Sequence, residues 1–322
     1  MSNDNGRTAK PFASTADLAD KEATLEELAD GVYAYTAQGD PNVGAIVGDD
    51  CVMAIEARAT PVMARQWIDE LRTVTDKPIR HLVLTHYHAV RTLGASAFGA
   101  EWIIAHTRTR ELIAERGQQD FESEARRFPR LFRDVDSIPG LTWPTVTFSD
   151  EMTVWLGRRR VELRYLGRGH TEGDIVIWLP DERVLFAGDL VEAQAAPYMG
   201  DSFVGDWSGP TLARVAALGA EALVGGRGAT VRGEAVGQAI EQTRDFLATI
   251  HRIVTEVVRR EGTLKEAFDL AYTALQPRFG GWPIFDHCMP FNVQRTWDEV
   301  SGMRPRIWTA ARDRAVWKEL QG

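Results

Sequence analysis

The ten residues HLVLTHYHAV, His81–Val90, carry the strongest indication of fold and function in this sequence. HLVLTH (81–86) is a continuous apolar run with β-branched content that stops abruptly at polar residues, which is typical of a strand buried on both faces. His86 and His88 stand two residues apart in the loop that leaves this strand, so both imidazoles can converge on one ion. The segment therefore predicts a buried strand with two candidate metal ligands at its carboxyl end.

Two later strand ends carry residues of the same kind. His170 follows a strand within GRGHTEGD (167–174), where flanking glycines allow a tight backbone that aims the imidazole. Asp189 stands at the end of the apolar run VLFAGDL (184–190). Each signal alone also fits a simple turn with an exposed histidine or a capping carboxylate. Taken together, His86, His88, His170 and Asp189 form a ligand set that suits one Zn²⁺, and also Fe²⁺ or Mn²⁺.

Strand-rich blocks alternate with helices over most of the chain. GVYAYTA and NVGAIVGDDCVMAIEA indicate short strands, and DIVIWLPDERVLFAGDL (174–190) indicates a hairpin with a Pro-Asp-Glu-Arg turn. Residues 61–74 predict a helix that buries Met63, Trp67, Leu71 and Val74. This alternation favours an α/β sandwich with helices packed outside sheets.

The chain ends differ from this central pattern. Residues 1–20 are polar and aperiodic, so we expect a mobile N-terminal arm. From about residue 233 the pattern is largely helical. We predict an arm over 1–20, a main domain over 21–232 and a C-terminal helical extension over 233–322.

Composition narrows the classes of partner. The 322 residues include 46 acids and 37 bases, for a net charge of −9, which disfavours nucleic acid and anionic membranes as partners. Two cysteines do not make a disulfide framework, which indicates a reducing compartment. The N-terminus has no apolar core typical of a signal peptide, and no run is long enough to span a bilayer. We expect a soluble cytoplasmic protein that acts on a small molecule.

THYH, GHTEGD and FAGD, at these separations, resemble successive motifs of the metallo-β-lactamase superfamily. The resemblance runs from about Gly31 to about Arg232 and implies a four-layer αβ/βα sandwich with its metal site at one edge, between the sheets. The first family motif is H-x-H-x-D-H, and His86 and His88 match its first two ligands. By the same resemblance, His170 matches the next histidine ligand, and Asp189 the carboxylate that bridges two metals.

Three positions depart from the family pattern. Val90 and Arg91 stand where the first motif has its ligand Asp and the following His, and Arg227 replaces the His of a later Gly-His-Gly-like motif. In the family these residues hold the second metal, so we infer a mononuclear site. Because a buried Asp189 needs positive charge nearby, we expect Arg91 and Arg227 to replace the second ion electrostatically and to hold a substrate anion. The alternative is that one or both point to solvent.

The resemblance implies a metal-dependent hydrolase of the ester, thioester, lactone or amide class, with one zinc ion that makes water a nucleophile at neutral pH. Asp189 would orient that water, and Arg91 or Arg227 would stabilise developing negative charge. Tyr87 lies between two ligands and could reach the pocket. His287, in the aromatic segment WPIFDHCMPFN (282–292), is either an acid, base or substrate contact or a core histidine bonded to Asp286 or backbone.

Two other functions stay open. A mononuclear iron site would resemble that of the persulfide dioxygenases of the same family, which use two His and one Asp. A non-catalytic metal- or ligand-binding protein is the third hypothesis, although three retained histidines argue against it. The aromatic, proline-bounded segment 282–292 also suggests a surface that a second copy covers, so we expect a homodimer.

Overall fold

The computed structural model describes residues 13–321. Residues 1–12, which make up most of the predicted N-terminal arm, lie outside the described residues.

Two mixed sheets form the centre of the described chain. The first has seven strands in sequence order, antiparallel from β1 to β4 and parallel from β4 to β7. The second has six strands in the order β13-β12-β11-β10-β9-β8, antiparallel except between β11 and β12. The strands are β1 (Ala23–Ala29), β2 (Val32–Ala37), β3 (Val43–Val47), β4 (Val52–Ile55), β5 (Ile79–Val83), β6 (Trp102–His106), β7 (Val146–Phe148), β8 (Glu151–Leu156), β9 (Arg159–Tyr165), β10 (Ile175–Leu179), β11 (Val184–Gly188), β12 (Ala222–Gly225) and β13 (Val231–Arg232).

Helices cover the outer faces of both sheets, and four of them follow the last strand. Short 3₁₀ turns lie at Ala13–Ala16, Ala95–Ala97, Pro129–Phe132 and Val135–Ser137, and a π turn at Trp207–Thr211. The α-helices are α1 (Pro61–Leu71), α2 (Ala89–Thr92), α3 (Thr107–Arg127), α4 (Val204–Asp206), α5 (Leu212–Ala217), α6 (Glu234–Arg259), α7 (Leu264–Phe279), α8 (Phe285–Val300) and α9 (Ala310–Gln321).

The apolar side chains pack in layers. Ile46 and Val83 of the first sheet meet Ile177 and Phe186 of the second in the core between the sheets. A second core lies between the first sheet and α1, and a third between the second sheet and the C-terminal helices. The predicted αβ/βα sandwich is therefore confirmed.

Three local predictions differ from the structure. The strand β1 was not predicted, because its polar, half-exposed sequence ATLEELA shows little apolar alternation. The helix α1 ends at Leu71, so Val74 lies beyond it and is 40% exposed rather than buried. The strand β5 begins at Ile79 and ends at Val83, so His86 lies three residues past its end.

The C-terminal helices matter for the site because they hold the loop that follows β11. The Asn292 side chain of α8 accepts a hydrogen bond from the backbone N–H of Met199 (2.7 Å) and donates one to the carbonyl of Pro197 (2.8 Å). The division at residue 233 stays a prediction. Within residues 13–321, no helix combines the length and the apolar composition needed to cross a membrane.

Candidate metal centre

Three histidines converge at one end of the sandwich. His86 and His88 lie in the loop after β5, and His170 lies in the loop between β9 and β10, so the two sheets contribute to one site. One ring nitrogen from each of the three lies within 4.8 Å of the others, and all three residues are buried. The structure therefore brings together the three histidines that the sequence singled out.

The other nitrogen of each ring is anchored. His86 Nδ1 lies 2.9 Å from the hydroxyl of Thr85, which in turn donates to a carboxylate oxygen of Glu56. His88 Nε2 lies 3.2 Å from Asp201 Oδ2. His170 Nδ1 lies 2.8 Å from the carbonyl of Tyr198. Metal-binding histidines commonly use one nitrogen in this way, because the outer bond sets the tautomer and the ring orientation.

These anchors determine which nitrogen atoms carry lone pairs. A carboxylate and a carbonyl only accept, so His88 Nε2 and His170 Nδ1 carry the protons. Their inner nitrogens, His88 Nδ1 and His170 Nε2, then face each other across 3.0 Å. The inner nitrogen of His86 is buried and has no hydrogen-bond partner within residues 13–321. Without a metal, a second proton on His88 bridges this pair; a divalent ion would take the place of that proton. Three buried imidazoles whose inner nitrogens converge and whose outer nitrogens are anchored are a donor set that fits such an ion.

Asp189 faces the same space but is held by arginines. Its Oδ2 lies 3.5 Å from His170 Nε2 and 3.8 Å from His86 Nε2. Arg91 Nη2 donates to the other oxygen, and Arg227 Nη1 lies 3.2 Å from Oδ2. Neither arginine points to solvent, since Arg91 is 1% and Arg227 5% exposed.

Each arginine has further acceptors. Arg91 also donates to the carbonyls of Asn42 (2.9 Å) and Gly226 (2.8 Å), so its guanidinium is engaged on several sides. Arg227 Nη1 is shared with Glu192 Oε1 at 3.4 Å. The arrangement favours Arg91 as a compensating charge for Asp189 rather than as a group that holds a substrate anion.

Gly226 explains why the Asp189–Arg91 pair can form. A Cβ at this position would lie 2.2 Å from Asp189 Oδ1 and 3.0 Å from Arg91 Nη2. Any larger residue would therefore displace the ion pair. Gly188 is a second required glycine, because its φ is +53° and a Cβ would lie 2.7 Å from Thr85 Oγ1.

A buried polar stripe on α3 forms the outer wall of the site. The Asp120 carboxylate accepts from the backbone N–H of Ala89 (2.7 Å), and that of Glu124 accepts from Val90 (2.9 Å). One turn earlier, Arg116 Nη1 lies 3.3 Å from Asp201 Oδ1. Sequence reasoning missed these residues, although their spacing of four predicts one helical face.

Burial and neighbouring charges shift the ionisation of the site in opposite directions. Burial lowers the pKa of His170 to about 3. Burial also lowers that of His88, but the carboxylates of Asp120 and Asp201 outweigh it and raise the pKa to about 9. Burial would raise the pKa of Asp189, yet Arg91 and His86 hold it well below its usual range, so Asp189 stays ionised. Burial raises the pKa of Glu192 to about 8.

Two candidate residues remain, Tyr87 and His287. Tyr87 is buried against Leu112 and Ile113 and lies near the Asp201 carboxylate. With Arg116 and Asp201 it lines a cavity of about 190 Å³ whose lining includes none of the three histidines, so a role for Tyr87 at the metal centre stays a prediction.

His287 is buried among aromatic rings. Its ring stacks on Phe128 with centroids 3.9 Å apart and on Phe291 at 5.6 Å. The neighbouring Asp286 accepts instead from the Tyr272 hydroxyl (2.7 Å). Burial, with Arg127 and Arg227, holds the pKa of His287 well below its usual range.

Comparison with known proteins agrees with this geometry. A family model described as the metallo-beta-lactamase superfamily matches residues 38–241, well over half of the sequence. The chain belongs to the metallo-β-lactamase superfamily, as the motifs predicted, and members of that superfamily are metal-dependent hydrolases.

Individual relatives are distant. A metallo-beta-lactamase type 2 from Bacillus sp. (strain 170) is 25% identical over 197 residues, which cover 58% of this chain and 68% of that protein. Another from Bacillus cereus is 24% identical over 224 residues, covering 62% and 78%. The solved structure of a metallo-beta-lactamase from Pontibacter korlensis matches with a TM-score of 0.57 and 18% identity, covering 70% of this chain and 99% of that one. That structural likeness shows the fold alone.

Proposed function

We propose that this protein is a hydrolase that uses one divalent metal ion, zinc in the first instance, held by His86, His88 and His170. The observation that carries the proposal is the convergence of the inner nitrogens of His88 and His170, 3.0 Å apart, beside the unpartnered inner nitrogen of His86. A cation at that point would satisfy all three nitrogens at once. A divalent ion held there supplies Lewis acidity, which makes water a nucleophile at neutral pH.

Charged residues around the triad would serve the hydrolysis. Asp189 is ionised and faces the triad, so we assign it to orienting the attacking water and, more weakly, to metal ligation. Arg227 reaches both Asp189 and Glu192 through Nη1 and lies beside the centre, where it would stabilise negative charge that develops on the substrate. His287 and Tyr87 remain candidates for substrate contact.

The same contacts support the proposal of a mononuclear state. Arg91 and Arg227 occupy both oxygens of Asp189, the residue that would otherwise bridge two ions. Two buried guanidinium groups supply the positive charge that a second divalent cation would bring. The substrate class is proposed as an ester, thioester, lactone or amide, because hydrolysis of each begins with the attack of water on a carbonyl carbon.

Elemental analysis of protein purified without added metal tests the proposal. We expect about one zinc per chain, retained in His251→Ala and lost in His170→Ala. His251 is a suitable control because it is a half-buried histidine on α6, outside the triad. Two ions per chain would contradict the mononuclear site, and no metal under any condition would contradict the proposal as a whole.

The same elemental analysis distinguishes hydrolysis from a second candidate function, oxygen-dependent persulfide oxidation. The persulfide dioxygenase hypothesis is favoured by the nearness of Asp189 to His86 and His170, which offers two histidines and a carboxylate. About one iron per chain, with oxygen uptake, would establish that function in place of hydrolysis. A cytoplasmic location and a homodimer stay predictions, to be checked by fractionation and by light scattering of the purified protein.

A further inference from the structure

We propose that Asp201 is a positioning residue for the metal centre. We also propose that the C-terminal helices act on the centre through the loop that contains Asp201. The inference rests on the proposed metal site at the three histidines. It adds a role for the residues Tyr198–Phe203, here called the brace loop, which lie between β11 and α4.

Asp201 uses its two carboxylate oxygens for different tasks. Oδ2 lies 3.2 Å from Nε2 of His88, the nitrogen that faces away from the centre. Oδ1 lies 3.3 Å from Nη1 of Arg116 on α3. The side chains of Asp201, His88 and Arg116 are no more than 9% exposed, so water competes little for these bonds. Arg116 thus fixes the carboxylate, and the carboxylate fixes the imidazole.

The brace loop orients two of the three histidines. The backbone carbonyl of Tyr198 accepts a hydrogen bond from His170 Nδ1–H. Three residues further along the chain, the Asp201 carboxylate accepts one from His88 Nε2–H. Both bonds are to outer nitrogens, so both aim an inner nitrogen at the same point. Any displacement of the loop would therefore rotate two metal-facing rings together.

The loop in turn is tied to the C-terminal helices. Asn292 of α8 binds the backbone at Pro197 and Met199. Arg295, also on α8, donates to the carbonyl of Ser202 (2.7 Å), and the Trp308 indole donates to that of Gly200 (2.9 Å). Backbone groups of the loop are thus held at several points, and this gives the helical segment after β13 a specific function at the metal centre.

The test compares metal affinity in matched variants. In Asp201→Asn the His88 Nε2–H loses its carboxylate, and we expect zinc affinity in a chelator competition to fall by roughly 10- to 100-fold. Asp40→Asn is the control, because Asp40 has nearly the same burial (side chain 6% against 5% exposed) and pairs at 2.7 Å with Arg130, whose side chain is 9% exposed, as is that of Arg116. We expect the zinc affinity of the control to fall by less than about threefold. Loss of a hydrogen-bond partner behind a metal ligand lowers affinity by roughly 10-fold at least, so the two variants can be told apart.

A measurement without metal separates positioning from general stability. In the metal-free protein, nitrogen-15 spectra of the histidine side chains should show His88 protonated at Nε2, with slow exchange of that proton. Asp201→Asn should speed the exchange of that proton, because an amide oxygen is a weaker acceptor than a carboxylate, while its thermal midpoint stays close to that of Asp40→Asn. If Asp201→Asn does not fold, Arg116→Met tests the same chain of contacts, and a larger affinity loss than in Asp40→Asn would support the proposal.

The outcomes distinguish the inference from the proposed function. If the unaltered protein binds zinc, His170→Ala does not, and Asp201→Asn binds as tightly as Asp40→Asn, then Asp201 has no positioning role. If His170→Ala binds zinc as well as the unaltered protein, the metal site itself is wrongly assigned. Loss of binding in both His170→Ala and Asp201→Asn, with retention in Asp40→Asn, supports both.

Discussion

Replacing Arg91 with methionine tests whether this arginine compensates the charge of Asp189. Methionine keeps much of the side-chain volume and removes the charge and all five donors. In the structure, Arg91 donates to Asp189 and to the carbonyls of Asn42 and Gly226, from a position that is 1% exposed. The variant would leave a buried carboxylate with Arg227 as its remaining guanidinium partner, together with two carbonyls that lose a donor.

The expected cost follows from these contacts. Removing one member of a buried ion pair destabilises a protein by about 3–5 kcal/mol, because the other charge stays buried without compensation. Arg227, 3.2 Å from Asp189, retains part of the compensation, which places the expected loss near the lower limit. A loss of about 3 kcal/mol is a large share of a total stability of roughly 5–15 kcal/mol. For a chain of this length it corresponds to a fall in melting temperature of roughly 4–5 °C.

Thermal and urea unfolding of the metal-free protein at pH 7 measure this loss. Arg158→Met is the control, since the side chain of Arg158 is 96% exposed and lies 3.9 Å from Asp49. We expect the control to change stability by less than about 0.5 kcal/mol. A loss in Arg91→Met that is no larger than in Arg158→Met would refute the assignment of Arg91 as the charge that stands in for a second ion.

Three further predictions follow from the same structure. Restoring the family pattern in one variant, Val90→Asp with Arg91→His and Arg227→His, should raise metal content from one to two ions per chain; a content unchanged at one would show that the arginines do not replace a second ion. Burial raises the pKa of Glu192, which lies beside Arg227, Arg91 and Asp189, to about 8. Between about pH 5 and 8, Glu192 therefore keeps its proton in the folded protein and loses it in the unfolded chain. Stability should therefore fall as pH rises through this window, by up to about 1.4 kcal/mol per pH unit from this group, and Glu192→Gln should flatten that slope in urea unfolding. Both cysteines are buried and free, and burial raises the pKa of each thiol, so neither should react with an aromatic disulfide reagent at pH 7.5 until urea unfolds the chain; rapid labelling of the native protein would contradict the described packing.

Local sequence patterns were sufficient to predict the fold and the residues at the centre of the metal site. Apolar runs and turn residues predicted most strands, because strand pairing and burial impose a local alternation. The motifs THYH, GHTEGD and FAGD identified His86, His88, His170 and Asp189, because each lies where a buried strand ends. The resemblance to the family also placed Arg91 and Arg227 near Asp189, since both stand where the family holds its second metal, and charge balance agreed with that placement.

The supporting contacts were decided by tertiary structure. Asp201 lies 113 residues from His88, and Asp189 lies 98 residues from Arg91, so no local pattern connects them. The partner of His170 Nδ1 is a backbone carbonyl, which every residue has and no sequence motif marks. The polar stripe on α3 had a helical period, but its direction toward the metal centre depends on how that helix packs.

The sequence by itself therefore determined the family, the sandwich and which histidines meet, because these depend on local periodicity and on residue type. Only the tertiary structure decided which nitrogen of each histidine faces inward, that both arginines contact Asp189, and that the C-terminal helices hold the brace loop. The physical reason is that ring orientation and ion pairing depend on groups distant in the chain, which become neighbours only when both sheets and the helices around them have packed.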